Sequence, residues 1–352
     1  MLNENVLMGL KVEAQEELKD ILNPLSLAGI REIIERKGLK GNLPNAFGID
    51  PRSRKISVFN PCRLNRPKQG GGNRDCPICL GKTTPVFLHE ELPKDEEDFS
   101  DYKEYVFVNL NLFPFYSPFG IQNIDDADDV MIGAHFLLWP TTAHQDIHQL
   151  TPKQHSVSYD LLGRLERCLR SDREGIGLHM QVIKNTGVLA GNSLEHGHYQ
   201  VGFCNKKPLR ILEDEAFARD QKQTYTQYLK KRLTKDLILK EYDSVIVATP
   251  PHLRRGLEAV IIPREDVDFI MDLTAAQKRD FAAATTHIAR RLAQVMPERG
   301  KDFAYNFVFH NGAGMYIEVM PATQFEGGME KAGLDICACD PETSTNIYNG
   351  KH

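Results

Sequence analysis

The chain has no apolar run near the ~20 residues needed to cross a bilayer, a single tryptophan, and only seven cysteines in 352 residues. The first absence argues against a membrane-spanning helix, so no membrane is expected as a partner. Seven is an odd count and thinly scattered, which excludes a disulfide scaffold. The expected compartment is the reducing cytoplasm, where a Cys-x-x-Cys pair more often binds metal or does redox chemistry than forms a bridge. The opening residues, MLNENVLMGLKVEAQEELKD, carry no basic stretch followed by an apolar core and cleavage pattern, so no secretory leader is expected. Positive charge is not in excess either: 43 Lys+Arg stand against 48 Asp+Glu, a net charge of −5, which gives no reason to expect nucleic acid. No Gly-x-Gly-x-x-Gly follows a strand-like run, which argues against a Rossmann domain. GNSLEHG lacks the Lys-Ser/Thr ending of a P-loop. What is left is a soluble globular balance, 41% hydrophobic and 26% charged.

The order of elements is informative. Residues 9–37 read as one or two amphipathic helices broken at Asn23-Pro24, and residues 1–57 as an N-terminal helical extension. NPCRLNRPKQGGGNRD is turn-rich. Apolar β-rich runs follow at 104–110 and 134–140. Thr151-Pro152 is an N-cap and first-turn pair opening a helix to about Arg170. Strands are expected at 179–184 and 198–204. The order then recurs. HFLLWPTTAHQDIHQLTPKQ (135–154) aligns without a gap on EAVIIPREDVDFIMDLTAAQ (258–277), 123 residues later, matching Pro140 with Pro263 and Thr151 with Thr274. A looser match sets EHGHYQV against GMYIEVM, with Tyr316 and Glu318 where the histidines stand. Two matches in one order indicate an internal duplication. The fold expected is α+β, a duplicated unit with a mostly antiparallel sheet and flanking helices. Residues 58–205, which hold the histidine- and cysteine-bearing motifs, are expected to form the catalytic half, 206–240 a helical connection without evident chemistry, and 241–352 a degenerate second half with a C-terminal tail.

Two clusters carry chemistry. Cys76 and Cys79 of CPIC are spaced to bind one ion from a single turn, and a tetrahedral Zn²⁺ needs two more ligands. No second Cys-x-x-Cys exists, so these should be histidines. His144 and His196, in loops beside strand ends, are favoured over His135 and His155, with His148 in reserve. The second cluster is NTGVLAGNSLEHGHYQ. Residues i and i+2 of an extended segment share a face, so His196 and His198 can reach one site, with Gln200 beside them. Gly187, Gly191, Asn192 and Ser193 permit close backbone approach, and their amides suggest a nest for phosphate oxygens. A neutral imidazole there is a nucleophile for phosphorus, its other nitrogen held by an acceptor such as a carbonyl of the Gly191–Leu194 loop. Spacing alone leaves open that both histidines bind metal.

These residues resemble the galactose-1-phosphate uridylyltransferases of the histidine-triad superfamily. NTGVLAGNSLEHGHYQ is similar, without a gap, to their Asn-x-Gly, Gly-x-Ser, His-Pro-His-Gly-Gln pattern. PCRLNRPKQGG resembles their Arg-x-x-Arg-Pro-x-Gln segment, CPIC their Cys-x-x-Cys, and YVFVNLN a strand ending in a base-contacting Asn. The resemblance implies His198 as nucleophile, Gln200 on the transferred phosphoryl group, and Ser193, Asn185, Gly191 and Asn192 around it. It implies zinc on Cys76, Cys79, His144 and His196. Arg63, Arg66 and Gln69 fall at phosphate contacts that in the family cross a homodimer, and Asn109 at the base. The implied substrates are a nucleotide sugar or dinucleoside polyphosphate and a phosphate or sugar-phosphate acceptor. The implied activity is nucleotidyl transfer or phosphorolysis through a nucleotidyl-histidine. A histidine-triad hydrolase and a non-catalytic, zinc-stabilised nucleotide-binding protein are the alternatives. The sequence departs from the family at Glu195, Gly197 and Tyr199. It also lacks a second His-x-His, so no second metal is expected.

Overall fold

The computed structural model describes residues 25–65, 76–81, 83–92, 104–172 and 177–351. A ten-stranded sheet organises them, every neighbouring pair antiparallel. The first half supplies β3 (Val86–Glu91), β4 (Tyr105–Leu110), β7 (Gly133–Trp139), β8 (His179–Thr186) and β9 (Tyr199–Cys204). The second supplies β10 (Ile238–Glu241), β11 (Val245–Ala248), β12 (Ala259–Pro263), β13 (Tyr305–His310) and β14 (Tyr316–Pro321). From one edge the order is β3-β4-β7-β9-β8, and from the other β10-β11-β12-β14-β13. The two orders are the same. They meet where β8 pairs with β13, at Asn185↔Asn306 and Lys184↔Phe307 among others.

The helices repeat as well. Thr151 caps the long helix of the first half (Pro152–Arg170) and Thr274 that of the second (Ala275–Glu298), each in a capping box with the glutamine three residues on. Val182, Val201, Phe136, Ile261, Phe307 and Val319 all belong to the buried core that includes these two helices. Alternation along the strands leaves His198, Gln200 and Asn185 on the opposite face.

Register corrects one part of the sequence alignment. The 123-residue offset carries Leu137 to Val260, which pair with Gln200 and Glu318 respectively. Glu318 therefore occupies the place of Gln200, and Tyr316 that of His198. Only one of the two stands where a histidine stood, because the strand pairing shifts the loose match. A second correction concerns the N-terminus. A helix spans Leu27–Arg36, capped by Ser26, but residues 46–59 are not helical. β1 (Ala46–Ile49) and β2 (Ile56–Phe59) join β5 (Ile121–Asn123) and β6 (Val130–Met131) in a small separate sheet, order β2-β1-β5-β6. Phe47, Ile121 and Met131 bury against Cys204 at the far end of β9. The helices expected before residue 25 lie outside the described residues. Among the described residues, no helix is long and apolar enough to cross a membrane.

Candidate active site and metal cluster

After β7 the chain turns through residues 140–151, a loop that carries Thr141, His144 and Asp146. Against it sits the turn Cys76–Gly81, closed by Leu80 N donating to Cys76 O. The bend before β9 adds His196. The Sγ atoms of Cys76 and Cys79 and ring nitrogens of His144 and His196 lie within 4.8 Å of one another. Cys76 Sγ is 3.5 Å from His196 Nδ1, Cys79 Sγ 3.3 Å from His144 Nδ1 and 3.7 Å from His196 Nδ1. Metal bonds of ~2.1–2.3 Å give tetrahedral edges of about 3.4–3.8 Å, which these three separations match to within about 0.1 Å. His196 Nε2 lies 3.0 Å from Thr141 O. A carbonyl only accepts, so Nε2 carries the proton and the Nδ1 lone pair faces the cluster. Burial and the neighbouring Cys76 push the Cys79 thiol up to about 12, and a cation between the two sulfurs is what would favour thiolates. The four residues fit a divalent ion.

His198 does something different. Strand β9 begins only at Tyr199, and the bend before it separates the two rings instead of aiming both at one point. His198 is 4% exposed, and its Nδ1 donates to His196 O at 2.9 Å. The acceptor is thus the first histidine's own carbonyl, not one from the Gly191–Leu194 loop. Nε2 is left with the lone pair and has no hydrogen-bond partner among the described residues. Burial and the nearby Lys184 ammonium bring the ring down to about 4, so it is neutral at pH 7. Trp139, the only tryptophan, packs its ring 4.7 Å from that of His198 and 5.4 Å from that of His196. Asn109 Oδ1 accepts from Trp139 Nε1 at 2.9 Å, so in this structure Asn109 orients the tryptophan.

The small-residue loop is held shut from within. Gly187 and Gly191 have φ of 77° and 80°. An added Cβ on Gly187 would come 2.5 Å from Phe303 O, so only glycine fits there. The amides of Ala190 and Asn192 donate to Gly187 O, and that of Gly191 to Val188 O. Those three bonds close the turn, and they commit the amides of Gly191 and Asn192, two of the four residues expected to form a phosphate nest. Asn306 of β13 donates to Asn185 Oδ1 (2.7 Å) and to Ala190 O (2.9 Å), so the second half braces this loop. Ser193 and Gln200 are half-buried, and Glu195 is exposed.

Arg63 is not gathered here. It stacks on Phe115 at 4.2 Å. Phe115 stacks on His135, which lies opposite Gly202, four residues along β9 from His198 or about 13 Å by strand rise. Arg66 and Gln69 lie outside the described residues.

No family model matches this chain. A galactose-1-phosphate uridylyltransferase of Hypocrea jecorina is 28% identical over 119 residues, 32% of this chain and 31% of that one. The matched stretch thus spans about a third of that relative. A solved uridylyltransferase structure superposes with a TM-score of 0.67 at 16% identity, covering 87% of this chain and 97% of the other. An ADP-glucose phosphorylase from Arabidopsis thaliana, solved with bound ADP-glucose, gives 0.61 at 17% identity over 87% and 98%. The chain has the uridylyltransferase fold.

In this uridylyltransferase fold the second half carries a charge network where the first carries its histidine. His310, at the register position of Asn185, donates from Nδ1 to Asp214 at 2.7 Å. Its Nε2 is 3.1 Å from Glu318, an ion-pair contact. Tyr316 donates to Asp214 at 3.1 Å and Arg254 pairs with Glu318 at 3.1 Å. Burial opposes the charge on His310, but the two carboxylates outweigh it and raise its pKa. Both ring nitrogens of His310 already face carboxylates, Nδ1 that of Asp214 and Nε2 that of Glu318. Asp214 and Arg210 come from the 206–240 connection, which therefore does contribute chemistry. With Arg254 they line a cavity of about 300 Å³. Trp139, Thr141, Asn306 and the Lys184–Asp146 pair were missed from sequence. Only the rarity of tryptophan gave any signal for them.

Proposed function

We propose that the chain is a nucleotidyltransferase or nucleotide-sugar or dinucleotide phosphorylase that carries the nucleotide on His198 Nε2. The observation that carries this is the His198 Nδ1–His196 O hydrogen bond, which fixes the tautomer and leaves Nε2 as the nucleophilic nitrogen. The Nε2 lone pair attacks the α-phosphorus of the donor. The bond from phosphorus to the leaving phosphate or sugar-phosphate oxygen breaks, and that oxygen takes the electron pair. An oxygen of the acceptor phosphate then attacks the same phosphorus, and the N–P bond returns its electrons to Nε2. Gln200, on the same strand face, donates to a nonbridging oxygen as charge develops, and Ser193 lies at the loop beside it. Asn185 and Asn109 act through Asn306 and Trp139, holding the loop and the ring that frame His198. Zinc held by Cys76, Cys79, His144 and His196 would tie the 76–81 turn, the 141–150 loop and the histidine bend together, a structural role.

Incubation with nucleotide sugars or dinucleoside polyphosphates without acceptor should add one acid-labile nucleoside monophosphate mass to the protein. His198→Gly should not be labelled. Near wild-type turnover by His198→Gly without added imidazole refutes the mechanism. Release of free nucleotide at the same rate with and without phosphate would instead make the protein a hydrolase.

Arg63 packs through Phe115 and His135 against Gly202, about 13 Å of strand from His198, which favours a phosphate role in the site of a second copy, in a homodimer. Sedimentation should show a dimer, and Arg63→Ala should weaken nucleotide binding at least 10-fold with the fold intact. A monomer with unchanged affinity removes this part.

A further inference from the structure

Lys184 is fully buried, and the transfer described above makes no use of it. A lysine is rarely left in a core without a reason, since a buried ion pair is on balance a weak source of stability. Its three N–H bonds have identified acceptors. Lys184 Nζ is 2.8 Å from Asp146 Oδ1, 2.8 Å from Asn185 O and 3.0 Å from Thr186 Oγ1. Thr186 Oγ1 donates in turn to Asp146 Oδ2 at 3.0 Å, and Ile147 N to Asp146 Oδ1 at 2.7 Å. The carboxylate of Asp146 is thereby fixed to β8 through both oxygens.

What lies on the other side of that carboxylate is the histidine bend. Gly197 N donates to Gln145 O at 3.0 Å. A Cβ on Gly197 would come 2.4 Å from Asp146 Oδ1 and 2.8 Å from Asp146 Cα. Gly197, the residue between the two histidines, is seated directly on Asp146. The carbonyl that orients His198 belongs to His196, immediately before it. His144 is two residues before Asp146 on the same loop.

We propose that the Lys184–Asp146 pair is the positioning device of the site. It anchors the 144–147 loop to β8 so that the His196–Gly197–His198 bend holds the His198 ring in register. An apolar pair would fill the space but would leave the loop free to slide along the strand. A charge pair with three further hydrogen bonds admits one arrangement. Neither residue touches the reacting phosphorus, and the effect is geometric, where a displacement near 1 Å costs roughly 100-fold in rate.

The proposal rests on His198 being the nucleophile, and its test separates the two. Lys184→Met with Asp146→Asn removes both charges while keeping bulk, and Thr186→Val removes one hydrogen bond from the carboxylate with little change of shape. In single-turnover labelling with the donor that labels the wild type, the double variant should lose more than 10-fold in rate and Thr186→Val about 3- to 10-fold, with zinc content and KM within 3-fold of wild type. The ¹⁵N shifts of the His198 ring, read without substrate, should change from one Nδ1-protonated form to a tautomer mixture in the double variant. Unchanged rates in Thr186→Val and in a folded double variant overturn the positioning role. Should the double variant fail to fold, an unchanged labelling rate in Thr186→Val overturns it alone. Absence of any label on the wild type would sink the nucleophile reading instead, and the ring tautomer still decides whether the pair positions His198.

Discussion

The amide of Asn306 crosses from the second half to the Gly187–Gly191 loop of the candidate active site, and its removal gives the sharpest test of how the halves cooperate. Asn306→Ala deletes two hydrogen bonds, 2.7 Å to Asn185 Oδ1 and 2.9 Å to Ala190 O. Each contributes about 0.5–1.5 kcal/mol net, so the pair is worth about 1–3 kcal/mol. The backbone pairing Asn306↔Asn185 in the sheet is untouched, and Asn306 is only half-buried, so the strand itself should survive. The loss then falls on the Gly187–Gly191 turn. If the turn must be ordered for transfer, about 1–3 kcal/mol translates to roughly 5- to 150-fold in kcat/KM at about 1.36 kcal/mol per tenfold. Steady-state kinetics beside a thermal melt reads both. A variant that keeps full kcat/KM while its Tm falls by several degrees would show that the brace is structural and that the loop organises itself.

Two further outcomes follow from the clusters. Cys76→Ser should lower metal content measured by elemental analysis and lower Tm as well, because folding and ligation are coupled; full retention of metal removes the site. The His310 network predicts a pH-dependent stability with a definite sign. The folded His310 pKa is raised above the ordinary ~6.5, so its contribution is complete below that value and declines as pH rises through the folded pKa. On the acid side Glu318 is held at about 2: burial works against it, but His310 and Arg254 outweigh burial, so its contribution is lost between ~4.5 and 2. His310→Gln should flatten the melting temperature above pH 6.5, and an unchanged alkaline slope in that variant refutes the assignment.

What the sequence determined by itself was whatever depends on near neighbours. Thr151 with Gln154 and Thr274 with Gln277 are capping boxes closed over three residues, and β4, β7, β8 and β9 lie where the apolar, β-rich and strand-like segments were expected. The clustering of Cys76, Cys79, His144 and His196 was legible because ligand chemistry is restrictive: a Cys-x-x-Cys pair needs two more nitrogen or sulfur donors, and few histidines lie in loops at strand ends. The duplication was legible because the two copies share offsets along the chain. Tertiary structure decided what depends on register between distant segments. The pairing of β12 with β14 put Tyr316, not Glu318, in the place of His198. Asn306 reaches Asn185 across 121 residues, and Lys184 finds Asp146 because β8 runs beneath the 141–150 loop. Composition suggested a phosphate nest at Gly187, Gly191, Asn192 and Ser193, yet the amides of Gly191 and Asn192 close their own turn. A hydrogen-bond donor has one proton to give, and only the folded backbone decides which acceptor is near enough to take it.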